Sequence, residues 1–229
     1  MPNKIYSRRT MLGATGLAAG GLLLDGGAAH GRTRDSRRPA APDEAWAKLR
    51  EGNRRWAAGA AAHPHQDPAR RAEVAQKQDP YAVVVSCIDS RVGPELIFDA
   101  GLGDLFSVRS AAQTIDPLVS GAIEYGPVEL GTPLIVVLGH QRCGAVTAAA
   151  HALSEGTRLP GDLQRIVEDL RPAYKSARGD VDRMIRIHTR RTVAELKDGK
   201  LLGPRIARGR LKIVGAYYSL DTGLVSRVA

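Results

Sequence analysis

A chain of 229 residues, 43% hydrophobic and 25% charged, has the length and composition of one soluble globular domain with a sizeable core. Its net charge of +9 is spread along the chain with no basic stripe interleaved with aromatics, which excludes nucleic acid as the partner and leaves the cations as solvated surface. Aromatics make up only 4% of residues, so the core must be built from Val, Leu, Ile and Ala.

In chain order, the first feature is a leader over residues 1–29. Ser7-Arg8-Arg9-Thr10-Met11-Leu12 sets an arginine pair before an apolar Gly/Ala/Leu stretch, and the small residues Gly27-Ala28-Ala29 follow it. That is the pattern of a twin-arginine-type secretory leader. The apolar stretch, residues 11–24, is shorter than the ~18 residues of a spanning helix. The expectation is therefore export beyond the cytoplasmic membrane, to a secreted, periplasmic or cell-wall-associated state, with no stable membrane insertion after leader removal. An uncleaved membrane anchor is the competing reading. Residues 30–42, rich in Arg, Pro and Ala, read as a disordered linker, and residues 43–229 as the folded domain.

Asp43 is expected to cap a helix to about residue 58, with Ala45, Trp46, Leu49 and Trp56 along one side. Residues 59–68 read as a loop and 69–77 as a short helix. A first strand spans 81–86, Pro94 starts a brief helix over 95–99, and 104–108 is a second strand. Asp116-Pro117 supplies a cap followed by a proline at the first helical position, and Gly131 closes that helix. The third strand is 134–138, and a helix starts near Cys143 and runs past Ala150. Helices follow over 161–177 and 181–197; in the latter Val181, Met184, Ile185, His188, Thr192 and Leu196 share a face. Residues 211–217 form a fourth strand, which Asp221-Thr222-Gly223 turns into a short last one, 224–228. Strands alternating with helices predict an α/β fold: a mostly parallel central β-sheet flanked by helices, with an N-terminal helical extension.

The two cysteines each follow an apolar run directly. Tyr81-Ala-Val-Val-Val-Ser leads into Cys87-Ile-Asp89-Ser90-Arg91, and Leu134-Ile-Val-Val-Leu-Gly leads into His140-Gln-Arg-Cys143-Gly. In a parallel sheet ligands gather at the carboxyl ends of strands, where these groups fall. Two thiolates and one imidazole suit Zn²⁺ and leave a fourth position open. Because two thiolates cancel the charge of the ion, such a site needs help in aiming its nucleophile. Asp89 and Arg91 lie close enough to the first ligand to give it: a carboxylate held by an arginine can accept the nucleophile's hydrogen bond. Freed, Asp89 could take the fourth position itself. Ser90 reads as a loop-shaping hydroxyl. Three other readings stay open at this point: a Cys87–Cys143 disulfide, a structural zinc with Asp89 as fourth ligand, and two plainly buried thiols.

Cys87-Ile-Asp89-Ser90-Arg91 together with His140-x-x-Cys143-Gly144 resembles the β-class carbonic anhydrases. Gly52-Asn53-Arg-Arg-Trp56, Pro94-Glu95-Leu-Ile-Phe-Asp, Gly103-Asp104-Leu-Phe106, Val108-Arg109, Ile123-Glu124-Tyr125, Gly215-Ala-Tyr217 and Asp221-Thr-Gly223 extend the likeness over residues 43–228. The resemblance implies reversible hydration of CO₂ to bicarbonate and a proton by zinc-bound hydroxide. It implies Cys87, His140 and Cys143 as ligands of one zinc per subunit and Asp89 with Arg91 as the orienting dyad. In an inactive form of the family Asp89 would be the fourth ligand. Gln78, Phe106, Tyr125 and the backbone of Gly144 match positions that shape the family's CO₂ pocket, some of them, Gln78 notably, supplied by a partner subunit. A homodimer or higher oligomer follows from that arrangement. One departure is Ser110-Ala-Ala-Gln113, where many relatives have Asn-Ala-Gly-Asn. Two other functions compete: hydrolysis of carbon disulfide or a similar heterocumulene on the same fold, and a non-enzymatic zinc- or redox-responsive thiol protein.

Overall fold

The central strands run apolar without alternation because both faces of the sheet are covered. In the computed structural model, which describes residues 38–229, β1 (Ala82–Cys87) and β3 (Leu134–His140) are buried along their whole length. The leader and residues 30–37 of the linker lie outside the described residues. Arg38, within the stretch read as linker, is docked: its guanidinium pairs with Asp79 at 3.1 Å and donates to the carbonyls of Pro80 and Gly131.

The sheet has the order β2-β1-β3-β4-β5, with β2 at Leu105–Ser110, β4 at Lys212–Tyr218 and β5 at Val225–Arg227. The first four strands are parallel and β5 returns antiparallel to β4. On one face α1 (Pro42–Ala57) and α3 (Pro94–Ile97) pack Ala45, Trp46, Leu49 and Ile97 against Val84, Val136 and Val214. The opposite face carries α4 (Pro117–Glu129), α7 (Val181–Lys197) and α8 (Gly203–Ala207), with Ile123, Val193 and Leu202 against Val83, Val85 and Val137. Beyond the strands' carboxyl ends, α5 (Gly144–Glu155), α6 (Leu163–Ala177) and α7 enclose a third cluster that contains Cys87 and Cys143. A short α2 (Pro68–Val74), capped by Asp67, precedes the sheet.

Several boundaries differ from the sequence reading. Pro42 opens α1 after Ala41, so Asp43 lies in the first turn rather than at the cap, where it pairs with Lys212. Both ligand-bearing strands run farther than expected. Cys87 is the last residue of β1, paired with Ser110, and His140 the last of β3, paired with Tyr218. Cys143 is the N-cap of α5. Asp116 caps α4 by accepting from Val119 N at 2.8 Å, and Gly131 follows that helix at φ +62°. Helix α8 and a 3-10 turn at Ala111–Gln113 were not anticipated.

Helix α1 approaches the rest of the domain at Gly52, where a Cβ would stand 1.8 Å from the Phe98 carbonyl oxygen. The adjacent Asn53 is 3% exposed and ties three segments together: Nδ2 donates to Ile97 O at 3.2 Å and Gly223 O at 2.8 Å, and Oδ1 accepts from Val225 N at 2.8 Å. In an exposed helix Gly→Ala would stabilise by roughly 1 kcal/mol. Here the clash with backbone decides the sign, and Gly52→Ala is expected to destabilise by about 1–3 kcal/mol, read as a lower urea midpoint at unchanged slope.

Candidate metal centre

The ligand atoms of Cys87, His140 and Cys143 all lie within 4.8 Å of one another, and all three residues are buried. The two sulfurs are 3.8 Å apart and both cysteines are free. A disulfide would bring them to about 2.05 Å. Two thiolates each about 2.3 Å from a shared tetrahedral zinc would stand about 3.8 Å apart. His140 Nδ1 donates to the Gln141 carbonyl at 3.0 Å, which leaves the lone pair on Nε2. That Nε2 is buried and has no hydrogen-bond partner. An orphaned imidazole nitrogen beside two sulfurs at ligand spacing is a donor set that fits zinc.

Backbone groups prepare the first sulfur for a charge. Ala112 N donates to Cys87 Sγ at 3.3 Å from the tight turn after β2. The hydrogen bond shared with Cys143 is the main influence holding the Cys87 thiol down, and the backbone N–H groups of Asp89 and Ala112 add to it. Cys143, hydrogen-bonded to Cys87 and buried, is pushed up. Thiols give up their protons to bind a divalent metal, so metal binding at this cluster would release protons.

Asp89 and Arg91 form a two-pronged pair on the rim. Arg91 Nε reaches Asp89 Oδ1 at 2.9 Å, Nη2 reaches Oδ2 at 2.7 Å, and the Arg91 backbone N–H donates to Oδ1 at 3.0 Å. These bonds from Arg91 hold the Asp89 carboxyl down at about 2. Its Oδ2 is 4.0 Å from His140 Nε2, so the carboxylate borders the ligand cluster while engaged by the arginine. Ser90, between them in the loop, is exposed.

The structure does not bring all the expected pocket residues to this cluster. Gly144 opens α5 beside Cys143, and a Cβ there would meet nothing within 4 Å, so its backbone borders open space. Phe106 instead pairs with Val83, near the far end of β1 from Cys87. Tyr125, on α4, is 47% exposed and meets the Phe106 ring edge-on at 5.9 Å. Gln78 is exposed and precedes β1, also at the end away from Cys87.

Two contributors escaped the sequence reading. Arg109, noted only as part of a strand, braces the first ligand loop by donating to Cys87 O at 2.9 Å and Asp89 O at 2.8 Å. The Ala111–Gln113 turn holds Ala112 and Gln113 at φ +53° and +49° without a glycine, packed behind Cys87. An alternating Arg109 on an edge strand could have been found from its register; the turn leaves no compositional signal.

Residues 82–225 match the family described as carbonic anhydrase. Carbonic anhydrase 2 of Mycobacterium tuberculosis is 46% identical over 187 residues, covering 80% of this chain and 90% of that protein. A carbonic anhydrase of Mycolicibacterium smegmatis is 44% identical over 189 residues, with 80% and 92% covered. Among solved structures, a Coccomyxa β-carbonic anhydrase in complex with acetazolamide superposes with a TM-score of 0.62 at 27% identity, over 77% of this chain and 83% of that one. A structure reporting two tetrameric β-carbonic anhydrases from Sordaria macrospora gives 0.64 at 25% identity, over 80% and 96%.

Proposed function

The chain belongs to the β-class carbonic anhydrases, and we propose that it hydrates CO₂ reversibly to bicarbonate and a proton with one zinc ion per subunit held by Cys87, His140 and Cys143. The observation that carries this is the orphaned His140 Nε2 facing two sulfurs 3.8 Å apart, bordered by a carboxylate that an arginine already holds.

Zinc in that place supplies the Lewis acidity that makes water a nucleophile near neutral pH. The rest is done by the chain. Asp89, kept ionised by Arg91, presents an acceptor beside the cluster and aims the attacking oxygen by taking its hydrogen bond. Arg91 also keeps the carboxylate occupied, which supports the form with a free fourth position over the one in which Asp89 binds the metal. The Nδ1–H bond to Gln141 O fixes the His140 ring in the tautomer a ligand requires. The Ala112 N–H stabilises charge on Cys87 Sγ.

CO₂ offers only weak acceptor oxygens, so a pocket for it needs apolar walls and few donors. Gln78, Phe106 and Tyr125 lie away from their own cluster, and in our reading they line the site of a second copy while Gly144 borders it from within. The active unit is then a homodimer or a higher oligomer. Residues 1–29 direct the protein past the cytoplasmic membrane by a twin-arginine-type route. Among the described residues no helix is long and apolar enough to cross a membrane.

Stopped-flow CO₂ hydration with metal analysis tests the proposal. Expected are one zinc per subunit and a hydration rate that vanishes on chelation and returns with zinc. A fully zinc-loaded protein without CO₂ hydration, including one that consumes carbon disulfide instead, would overturn it.

A further inference from the structure

Between the two ligands of the second loop stand Gln141 and Arg142, and both reach across to one carboxylate on the β4–β5 hairpin. Asp221 accepts from Gln141 Nε2 at 2.8 Å and from Arg142 Nη1 and Nη2 at 3.1 and 2.6 Å. The Asp221 backbone N–H answers by donating to Gln141 Oε1 at 3.2 Å, an oxygen that also accepts from Ser219 Oγ at 3.3 Å. The hairpin itself is held from below by buried Asn53 through Gly223 and Val225. The anchor is therefore fixed to the body of the domain.

Arg142 adopts φ +52°, in the left-handed region that a residue bearing a Cβ enters only when its surroundings hold it there. That turn decides where its carbonyl points. The Arg142 carbonyl accepts from Arg91 Nη2 at 3.2 Å, and the same Nη2 holds Asp89 Oδ2 at 2.7 Å. A continuous chain of contacts thus runs from Asp221 through the Arg142 side chain, its backbone carbonyl and Arg91 to Asp89.

We propose that Asp221 is a positioning residue for the reaction: it locks the left-handed turn at Arg142, so that the Arg142 carbonyl anchors Arg91 and keeps Asp89 withdrawn from the fourth metal position. The inference rests on the hydration reading above. As an isolated surface pair, with side chains 56% and 57% exposed, Arg142–Asp221 would contribute little to global stability. Its effect falls instead on the orientation of groups between two metal ligands. When the clamp is lost, Arg91 has one anchor fewer, and the freed carboxylate competes for the metal.

The test compares zinc-loaded and cobalt-substituted protein carrying Asp221→Ala, Asp221→Asn, and the exposed control Asp162→Ala. Asp221→Ala is expected to melt within a few degrees of the parent, keep one metal per subunit and lose about tenfold in kcat at little change in KM. The cobalt spectrum at neutral pH should move toward that of a carboxylate-bound site. Amide exchange across residues 141–144 of the metal-free protein should also rise. Asp221→Asn keeps one acceptor oxygen and should fall between, which also serves if the alanine variant folds poorly. In an Asp89→Ala background the cobalt shift should be absent.

An unchanged cobalt spectrum and unchanged kcat in both Asp221 variants would overturn the inference while leaving the hydration reading intact. A loss of kcat that follows melting temperature and persists in the Asp89→Ala background would overturn it too, marking a staple of the hairpin. Failure of the hydration reading is a separate result: wild-type protein with stoichiometric zinc and no CO₂ hydration.

Discussion

Asp89→Asn is expected to lower kcat/KM for CO₂ hydration by about 10²-fold or more while leaving one zinc per subunit in place. The two halves of that result separate roles that the site places side by side. On the proposed reading, metal affinity would come from two thiolates and an imidazole, none of which the substitution touches. Aiming would come from the carboxylate, which Arg91 grips at 2.9 and 2.7 Å and which borders His140 Nε2 at 4.0 Å. An amide of the same shape can turn a donor toward the nucleophile where an acceptor is needed, and it loses the charge that ties Arg91 down. Because the Asp89 carboxyl is held near 2, below its unfolded value, the pair is intact above about pH 4 and is lost only as pH falls through about 2. Asp89 itself should therefore contribute no inflection to a rate profile taken between about pH 6 and 9. Stopped-flow rates with metal analysis on both proteins decide the matter. A variant that hydrates CO₂ at the parent rate would remove Asp89 from the mechanism, and one that loses zinc would make it a ligand.

The convergence of Cys87, His140 and Cys143 was legible because a parallel sheet places all its carboxyl ends on one side, and both motifs follow long Val/Leu/Ile runs. The spacing of Asp89 and Arg91 carried their pairing for a similar reason, since a short loop leaves little choice of partner. Capping chemistry located α4 through Asp116 and Pro117, yet the same logic misplaced Asp43. The proline before it claims the first helical position, and Ala41 is left as the cap with no side-chain bond. What stayed hidden are conformations that tertiary contacts impose against local preference. Ala112, Gln113 and Arg142 all hold positive φ without being glycine, asparagine or aspartate. Nothing in their composition distinguishes them from ordinary loop residues. Asp221 was read as a turn former, which it is, but its reach to Gln141 and Arg142 spans about 80 residues of sequence and exists only once β4 lies beside β3. Phe106 and Tyr125 show the converse limit. Motif likeness assigned them to a pocket, whereas their own subunit sets them against the far end of β1 from Cys87.

Removing the metal is expected to lower the melting temperature of the wild-type protein by roughly 8–16 °C, from about 4 kcal/mol of linkage at a thousandfold excess over Kd and about 2–4 °C per kcal/mol for a domain of this size. The physical reason is position. Cys87 ends β1, His140 ends β3 and Cys143 caps α5, so one ion would tie two central strands to the helix that covers their ends. Without it, two sulfurs stay buried 3.8 Å apart beside an imidazole nitrogen that nothing satisfies. Cys143→Ala separates this from a general effect of chelators. The substitution removes one ligand from a well-packed apolar cluster, so the variant should melt close to the metal-free wild type. Its melting temperature should no longer respond to chelator or to added zinc. Calorimetry of the two proteins with and without chelator, alongside metal analysis, reads the difference directly. If the wild-type melting temperature stays constant after the metal has demonstrably gone, the three residues do not join these elements through a shared ion, and the fold must hold the strand ends by packing alone.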